Sequence, residues 1–232
     1  MPRLQELLVP QFLALIAKDI RLVGGSGQGV AQAALLGLLL VFVFSLARQS
    51  GAPVPEQWVA AIFWLASAFS LILIFNTLFS LEEDNNARTG LLLSPLSPQA
   101  IWAAKALGGG VLLLMVQCIL YPALVVFLGA PPITDVLPAL GVLFAVNWGL
   151  VVLGALLGAL GQGQAGRDSL LSIIIFPLLV PLLLAGIRLG GGLLAGEVGQ
   201  MDWSSWMGLV GAFDAVFTGA ALVLFPFVYA GH

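Results

Sequence analysis

Long apolar runs separated by short polar breaks dominate this chain. Six of them, at roughly 30–47, 59–81, 106–129, 136–160, 170–189 and 207–230, carry almost no charge. Each is close to the ~20 residues a helix needs to cross about 30 Å of hydrocarbon. The period-two alternation of a membrane-spanning strand is absent, so a barrel is not expected. The pattern predicts an all-α polytopic membrane protein with six transmembrane helices, organised as a single transmembrane domain over residues 1–232. Residues 4–22 follow another rule. Leu4, Leu7, Leu8, Phe12, Leu15, Ile16 and Ile20 fall near helical spacing, and Gln5, Glu6, Gln11, Lys18, Asp19 and Arg21 fill much of the remainder. That spacing predicts an amphipathic helix lying in the membrane interface, either an elbow steering the first span or a plain anchor. Pro10 is expected to kink or divide it. GGSGQG at 24–29 lacks the Lys-Ser/Thr of a phosphate loop and is expected to be a hinge closing this N-terminal unit, 1–29.

Composition sharpens the picture at one place. Only 8% of the residues are charged, against roughly 25% in soluble domains, and the mean hydropathy is +1.10. Yet Glu82, Glu83, Asp84, Arg88 and Lys105 all lie in one polar island, residues 82–105, between the second and third runs. Ser97-Pro98 fits an N-cap followed by proline at the first helical position, which predicts that the third helix starts there. Gly90 is expected to stop a short helix formed by Leu81–Thr89. Leu91, Leu92 and Leu93 then put apolar bulk on a loop, either for a partner or for the membrane surface.

Counting cations orients the chain. With a cytoplasmic N-terminus, Arg3, Lys18, Arg21, Arg88, Lys105 and Arg167 lie inside, and only Arg48 and Arg188 lie outside. The positive-inside bias places both termini and the island in the cytoplasm.

Much chemistry is missing. The one histidine is His232, so a Ser-His hydrolase and a histidine-based zinc site are not expected, and no catalytic or metal-binding residue is assigned. There is no Walker A motif, so the chain is not expected to bind and hydrolyse ATP by the P-loop route. Cys118 is the single cysteine and cannot form an internal disulfide. Haem ligation would have to rely on Cys118, a methionine or His232, none with an evident second ligand. No cleavable signal is apparent at the N-terminus.

Intramembrane polar groups are few: Asn76, Gln117, Asn147 and Asp214. The asparagines are expected to bond between helices. Asp214 has two placements. A last helix starting near Ser204 puts it about 15 Å deep, as a proton or substrate site. A re-entrant Trp203–Val210 puts it in the first turn of a span starting near Ala212, where the helix dipole favours an acid; this second placement is the one expected. Gly154 and Gly158 mark close helix contact in the fourth span. Pro177 and Pro181 predict a kink in the fifth, static or mobile.

Four motifs in order carry a resemblance over nearly the whole chain. Glu82, Gly90-Leu-Leu-Leu-Ser-Pro95 and Lys105 look like the cytoplasmic loop of ABC-2-type permeases, and more narrowly like the CcmB family, the permease-like haem exporter protein B of cytochrome c maturation. Phe12 with Lys18-Asp19-x-Arg21 resembles that family's opening. Arg167-Asp168-Ser-Leu-Leu with Phe176-Pro177-Leu-Leu-Val-Pro181 resembles its fifth span, and Ala212-Phe213-Asp214-x-Val-Phe217 its sixth. Asn85-Asn86 departs from the family's frequent Asn-Gly, so Asn86 is expected in a left-handed turn.

The resemblance implies a non-catalytic subunit of an ATP-hydrolysing complex in the bacterial inner membrane. Its implied partners are the ATP-binding subunit CcmA, the membrane proteins CcmC and CcmD, the haem chaperone CcmE and a second copy of itself, with membrane lipid around it and no nucleic acid. No cofactor is expected on this chain alone: ATP enters through the partner, and haem is handled by the complex. The implied ATPase-coupling residues are Glu82, Glu83, Asp84, Arg88, Gly90, Leu91, Leu92 and Leu93. In that role the complex exports haem or releases the haem-loaded chaperone. Two other classes stay open: a secondary transporter with Asp214 as its proton site, and a membrane scaffold without transport.

Overall fold

The computed structural model describes residues 2–25, 28–47, 54–85, 87–161, 167–199 and 201–230. They form eight helices: α1 (Pro2–Gly25), α2 (Gln28–Ala47), α3 (Glu56–Asp84), α4 (Ala87–Leu92), α5 (Pro98–Leu128), α6 (Val136–Leu160), α7 (Arg167–Ala195) and α8 (Trp203–Ala230). Six of these, α2, α3 and α5–α8, are long and apolar enough to cross a membrane. Among the described residues there is no strand, so the all-α polytopic expectation holds.

The helices run further than the apolar runs indicate. α5 has 31 residues, or roughly 46 Å at 1.5 Å per residue, well beyond the hydrocarbon thickness. Its start is the expected one. Ser97 is extended, its hydroxyl accepts from the Ala100 N–H, and Pro98 opens the helix. Gly129 closes it at φ 68°, a left-handed conformation that only glycine adopts readily.

α3 and α6 are the central helices, buried over 67% of their span windows, whereas α2 and α8 are 22% buried and peripheral. Glycine lets the centre close. A methyl group added to Gly154 would stand 2.6 Å from the Phe75 ring, and one on Gly158 would collide with the Phe79 ring. The Gly154–Gly158 pair is thus a socket for two phenylalanines of α3, the close contact its spacing indicates. Gly186 and Gly190 on α7 receive Trp64 of α3 in the same way.

Three expectations change. α1 is one continuous helix with Pro10 inside it, so Pro10 does not divide it. Gly24 and Gly25 belong to α1 and Gly29 to α2, which leaves only residues 26–27 of the expected hinge outside the described residues. The short island helix is Ala87–Leu92 rather than Leu81–Thr89. α3 absorbs Leu81–Asp84, ends at Asn85 (φ −94°, ψ 5°), and leaves Gly90 within α4, where it stops nothing. Asn86 lies outside the described residues, as do the turn residues 162–166. Pro177 and Pro181 both lie inside α7, which runs unbroken past them.

Candidate functional site

The island is not a uniformly solvated surface. Its two ends fold inward and meet α1. Lys105, one turn before the Gly108-Gly109 contact of α5, is 0% exposed, and its Nζ lies 2.5 Å from Glu82 Oε1 near the end of α3. It also lies 3.9 Å from Asp19 Oδ2 on α1 and 4.8 Å from the centre of the Phe79 ring. Lys18 completes the group, with Nζ 3.0 Å from Asp19 Oδ1 and 3.2 Å from Glu82 Oε1. Two cations and two carboxylates therefore balance where α1, α3 and α5 converge.

Each helix has a local reason to deliver its charge there. Asp19 and Lys18 lie on the amphipathic α1, with Leu15 and Val23 buried one turn to either side. α1 lies close against α5 at Gly108, where an added methyl would stand in ordinary contact, 3.5 Å from Asp19 Cβ. Phe75, Leu78 and Phe79, all buried, fix the rotation of α3 that turns Glu82 inward. Burial of a charge without a partner is prohibitive, whereas a neutral cluster is tolerated and resists being pulled apart. Around Lys18, burial works against the ammonium, but Asp19 and Glu82 outweigh it and hold its pKa above the usual lysine value. Burial pushes the Asp19 carboxyl above the ordinary carboxylate range, with Lys105 and Lys18 opposing.

The remaining island residues sort by exposure. Asp84 and Gly90 are exposed and Glu83 is half-buried. Leu91 packs against the core, while Leu93 is 83% exposed. Its outward position follows from the turn after α4, where the Ser94 N–H and hydroxyl both donate to the Leu91 carbonyl, at 3.1 and 2.7 Å. The Arg88 and Leu92 side chains lie outside the described residues. Glu82, implied as an ATPase-coupling residue, is buried and anchors the cluster. Its pairing with Lys105 and α1 was missed. The available signal was an acid at the end of one apolar helix and a lone lysine within the next, with a Lys-Asp pair on an amphipathic helix.

The intramembrane polar residues form a second, smaller group. Gln117 and Asn147 exchange two amide hydrogen bonds, Asn147 Nδ2 donating to Gln117 Oε1 at 2.7 Å and Gln117 Nε2 to Asn147 Oδ1 at 2.8 Å. Gln117 Nε2 also donates to Ser67 Oγ at 3.0 Å. Three helices are tied by this network, as expected for Asn147. Asn76 is half-buried and makes no side-chain hydrogen bond among the described residues.

Asp214 is corrected. Asp202 caps α8, its carboxylate accepting from the Ser205 N–H at 3.3 Å and the Ser204 hydroxyl at 3.2 Å; the Ser205 side chain first, then these two bonds, hold Asp202 below the ordinary carboxylate range. The cap starts a single helix at Trp203, so Trp203–Val210 is not re-entrant. Asp214 then lies eleven residues in, roughly 16 Å along the axis. Its Oδ1 is buried, has no hydrogen-bond partner, and faces Gly149 of α6, where an added methyl would stand 2.6 Å away.

Six membrane-crossing helices around a shared apolar core, with a cluster of four paired charges at one end, define a multi-pass α-helical membrane protein. The family described as CcmB protein matches residues 10–231, and the chain belongs to that family. It is also 27% identical over 220 residues to "Heme exporter protein B" of Paracoccus denitrificans (strain Pd 1222), covering 94% of this chain and 95% of the relative.

Proposed function

We propose that this chain is a transmembrane subunit of an ABC-type haem-export complex of cytochrome c maturation, and that it passes the motion of a partner ATPase into the membrane helices. The observation that carries the reading is the four-charge cluster of Lys18, Asp19, Glu82 and Lys105. α4 follows directly on α3 and packs against it. Force applied to α4 and the exposed Leu93 reaches the end of α3 first. Breaking a buried ion pair costs about 3–5 kcal/mol, so the cluster makes the ends of α1, α3 and α5 move as one body. The family match and the relative's name supply the haem-export context.

In this reading the partner-facing surface is Glu83, Asp84, Arg88, Gly90, Leu91, Leu92 and Leu93, and Glu82 transmits rather than touches. The distribution of cations puts that surface and both termini in the cytoplasm of a bacterial inner membrane. CcmA supplies the ATP-binding subunit. CcmC and CcmD share the membrane, CcmE carries the haem, and a second copy of this chain pairs two membrane halves with two ATPases. Haem is cargo of the complex, and ATP drives its export or the release of the loaded chaperone. The chain itself is not an enzyme.

The test is purification of the tagged chain with its partners in mild detergent. An ATPase subunit is expected to co-elute, and Leu93→Asp or Glu83→Lys to weaken both that association and the stimulated ATPase while leaving the chain folded. Unchanged association and stimulation in both variants would sink the coupling surface. One observation favours a second reading: the buried, unpartnered Asp214 Oδ1 against Gly149 suits an intramembrane proton site. It predicts transport driven by a proton gradient, abolished by Asp214→Asn, with no ATPase in the assembly.

A further inference from the structure

At the end of the bundle away from the charge cluster, α3, α5, α6 and α7 line a cavity of about 500 Å³ beside the 129–135 connection. This lies within the ~300–1,000 Å³ of small-molecule sites. Its inner wall is Phe63 and Trp64 of α3 with Gly190 and Leu194 of α7, and Ala139 and Leu143 of α6 form one side. On α5, Gln117 and Tyr121 face inward, while Cys118 and Pro122 line the cavity and are also exposed. The same holds for Val136 and Leu140 on α6. The mouth is therefore lateral, between two membrane-crossing helices.

The surface flanking that mouth identifies what it opens onto. Met115, Ile119 and Val126 on α5 and Leu137 and Phe144 on α6 are all exposed and apolar. On spans of this hydropathy such a belt faces hydrocarbon rather than water. The interior offers nothing to a polar guest. The Gln117 amide is engaged by Asn147 and Ser67, and the Tyr121 hydroxyl accepts from the Ile133 N–H at 3.3 Å. Among the described residues no charged side chain lines the wall. No cation there meets an anionic guest, and of the metal-ligating side chains Cys118 is exposed at the mouth and Tyr121 is bonded to the Ile133 N–H, whereas a flexible hydrocarbon needs only apolar walls.

We infer that this chamber is a binding site for an acyl chain of a membrane phospholipid, which enters sideways between α5 and α6 and packs against Trp64. A seated chain props α5 and α6 apart and fills a space that would otherwise forfeit dispersion contacts with its walls.

The test uses the full chain in lipid nanodiscs, made with phosphatidylcholine brominated at mid-chain or with the unbrominated lipid. Bromine quenches tryptophan on contact, and Trp64 is 3% exposed, so it is reached only through the chamber. The emission lost on Trp64→Phe isolates its contribution. Most of that contribution is expected in unbrominated discs and little of it in brominated ones. Ala139→Phe, which narrows the chamber, is expected to restore it; if that variant does not fold, the Trp64→Phe difference decides alone. An equal Trp64 contribution in both lipids overturns the proposal. So does saturable binding of protoporphyrin IX in unbrominated discs that Ala139→Phe abolishes, which would make the chamber a tetrapyrrole site.

Discussion

Removing the Lys105 charge tests the cluster most directly. In Lys105→Met, Glu82 and Asp19, each 1% exposed, lose the ammonium at 2.5 and 3.9 Å. Only Lys18, 33% exposed, remains for both carboxylates. Removing one partner of a buried pair generally destabilises by about 3–5 kcal/mol. Because Lys18 already touches both acids, a loss near 3 kcal/mol is expected. The paired change Lys105→Met with Glu82→Leu removes one charge of each sign and leaves Lys18 and Asp19 matched at 3.0 Å. That variant is expected within about 1 kcal/mol of the parent, since apolar replacement of a whole buried pair is often neutral. The assay is reversible unfolding in mixed micelles by SDS titration, followed by circular dichroism, with Glu82→Leu alone completing the cycle. A coupling energy below about 0.5 kcal/mol, the level of additive sites, would refute a cooperative cluster. The double variant has a second use: it folds without the α3–α5 ion pair, so a loss of stimulated ATPase in it reports on transmission rather than on stability.

Further expectations concern the rest of the core. Gly154→Val drives a side chain into the Phe75 ring and is expected to destabilise by about 1–3 kcal/mol or more, read in the same titration; a neutral result would mean that α3 and α6 are not in contact there. Asn147→Leu strips Gln117 of both amide bonds and should lose about 1–3 kcal/mol, whereas Asn147→Leu with Gln117→Leu recovers much of it; equal losses in the two would remove the network. Asp19 has its native pKa raised above the ordinary 3.8, so the folded chain keeps its proton to higher pH than the unfolded chain. Its contribution to stability therefore falls as pH rises from 3.8 through the raised value. Unfolding titrations across that window should lose this downward component in Asp19→Asn, and an unchanged slope would contradict the burial of Asp19.

The apolar runs were enough to set the class, the six crossings and the start of α5, because a 20-residue hydrocarbon crossing and a Ser-Pro cap are local requirements that a sequence satisfies within itself. Where helices end was less legible. Asp202 has the form of a cap only once its bonds to Ser204 and Ser205 are drawn, and without them a re-entrant stretch was the expected reading of Trp203–Val210. Lys18-Asp19, Glu82 and Lys105 were visible as charges in an apolar chain, but their pairing spans up to 86 positions, from Asp19 to Lys105. No periodicity reports which face of α3 turns towards α1; that is decided by Phe75 and Phe79 fitting against glycines of α5 and α6. The polar island was legible as a place. Only the packed structure divides it into a buried anchor and an exposed edge, because burial of a charge is a property of the neighbours that neutralise it.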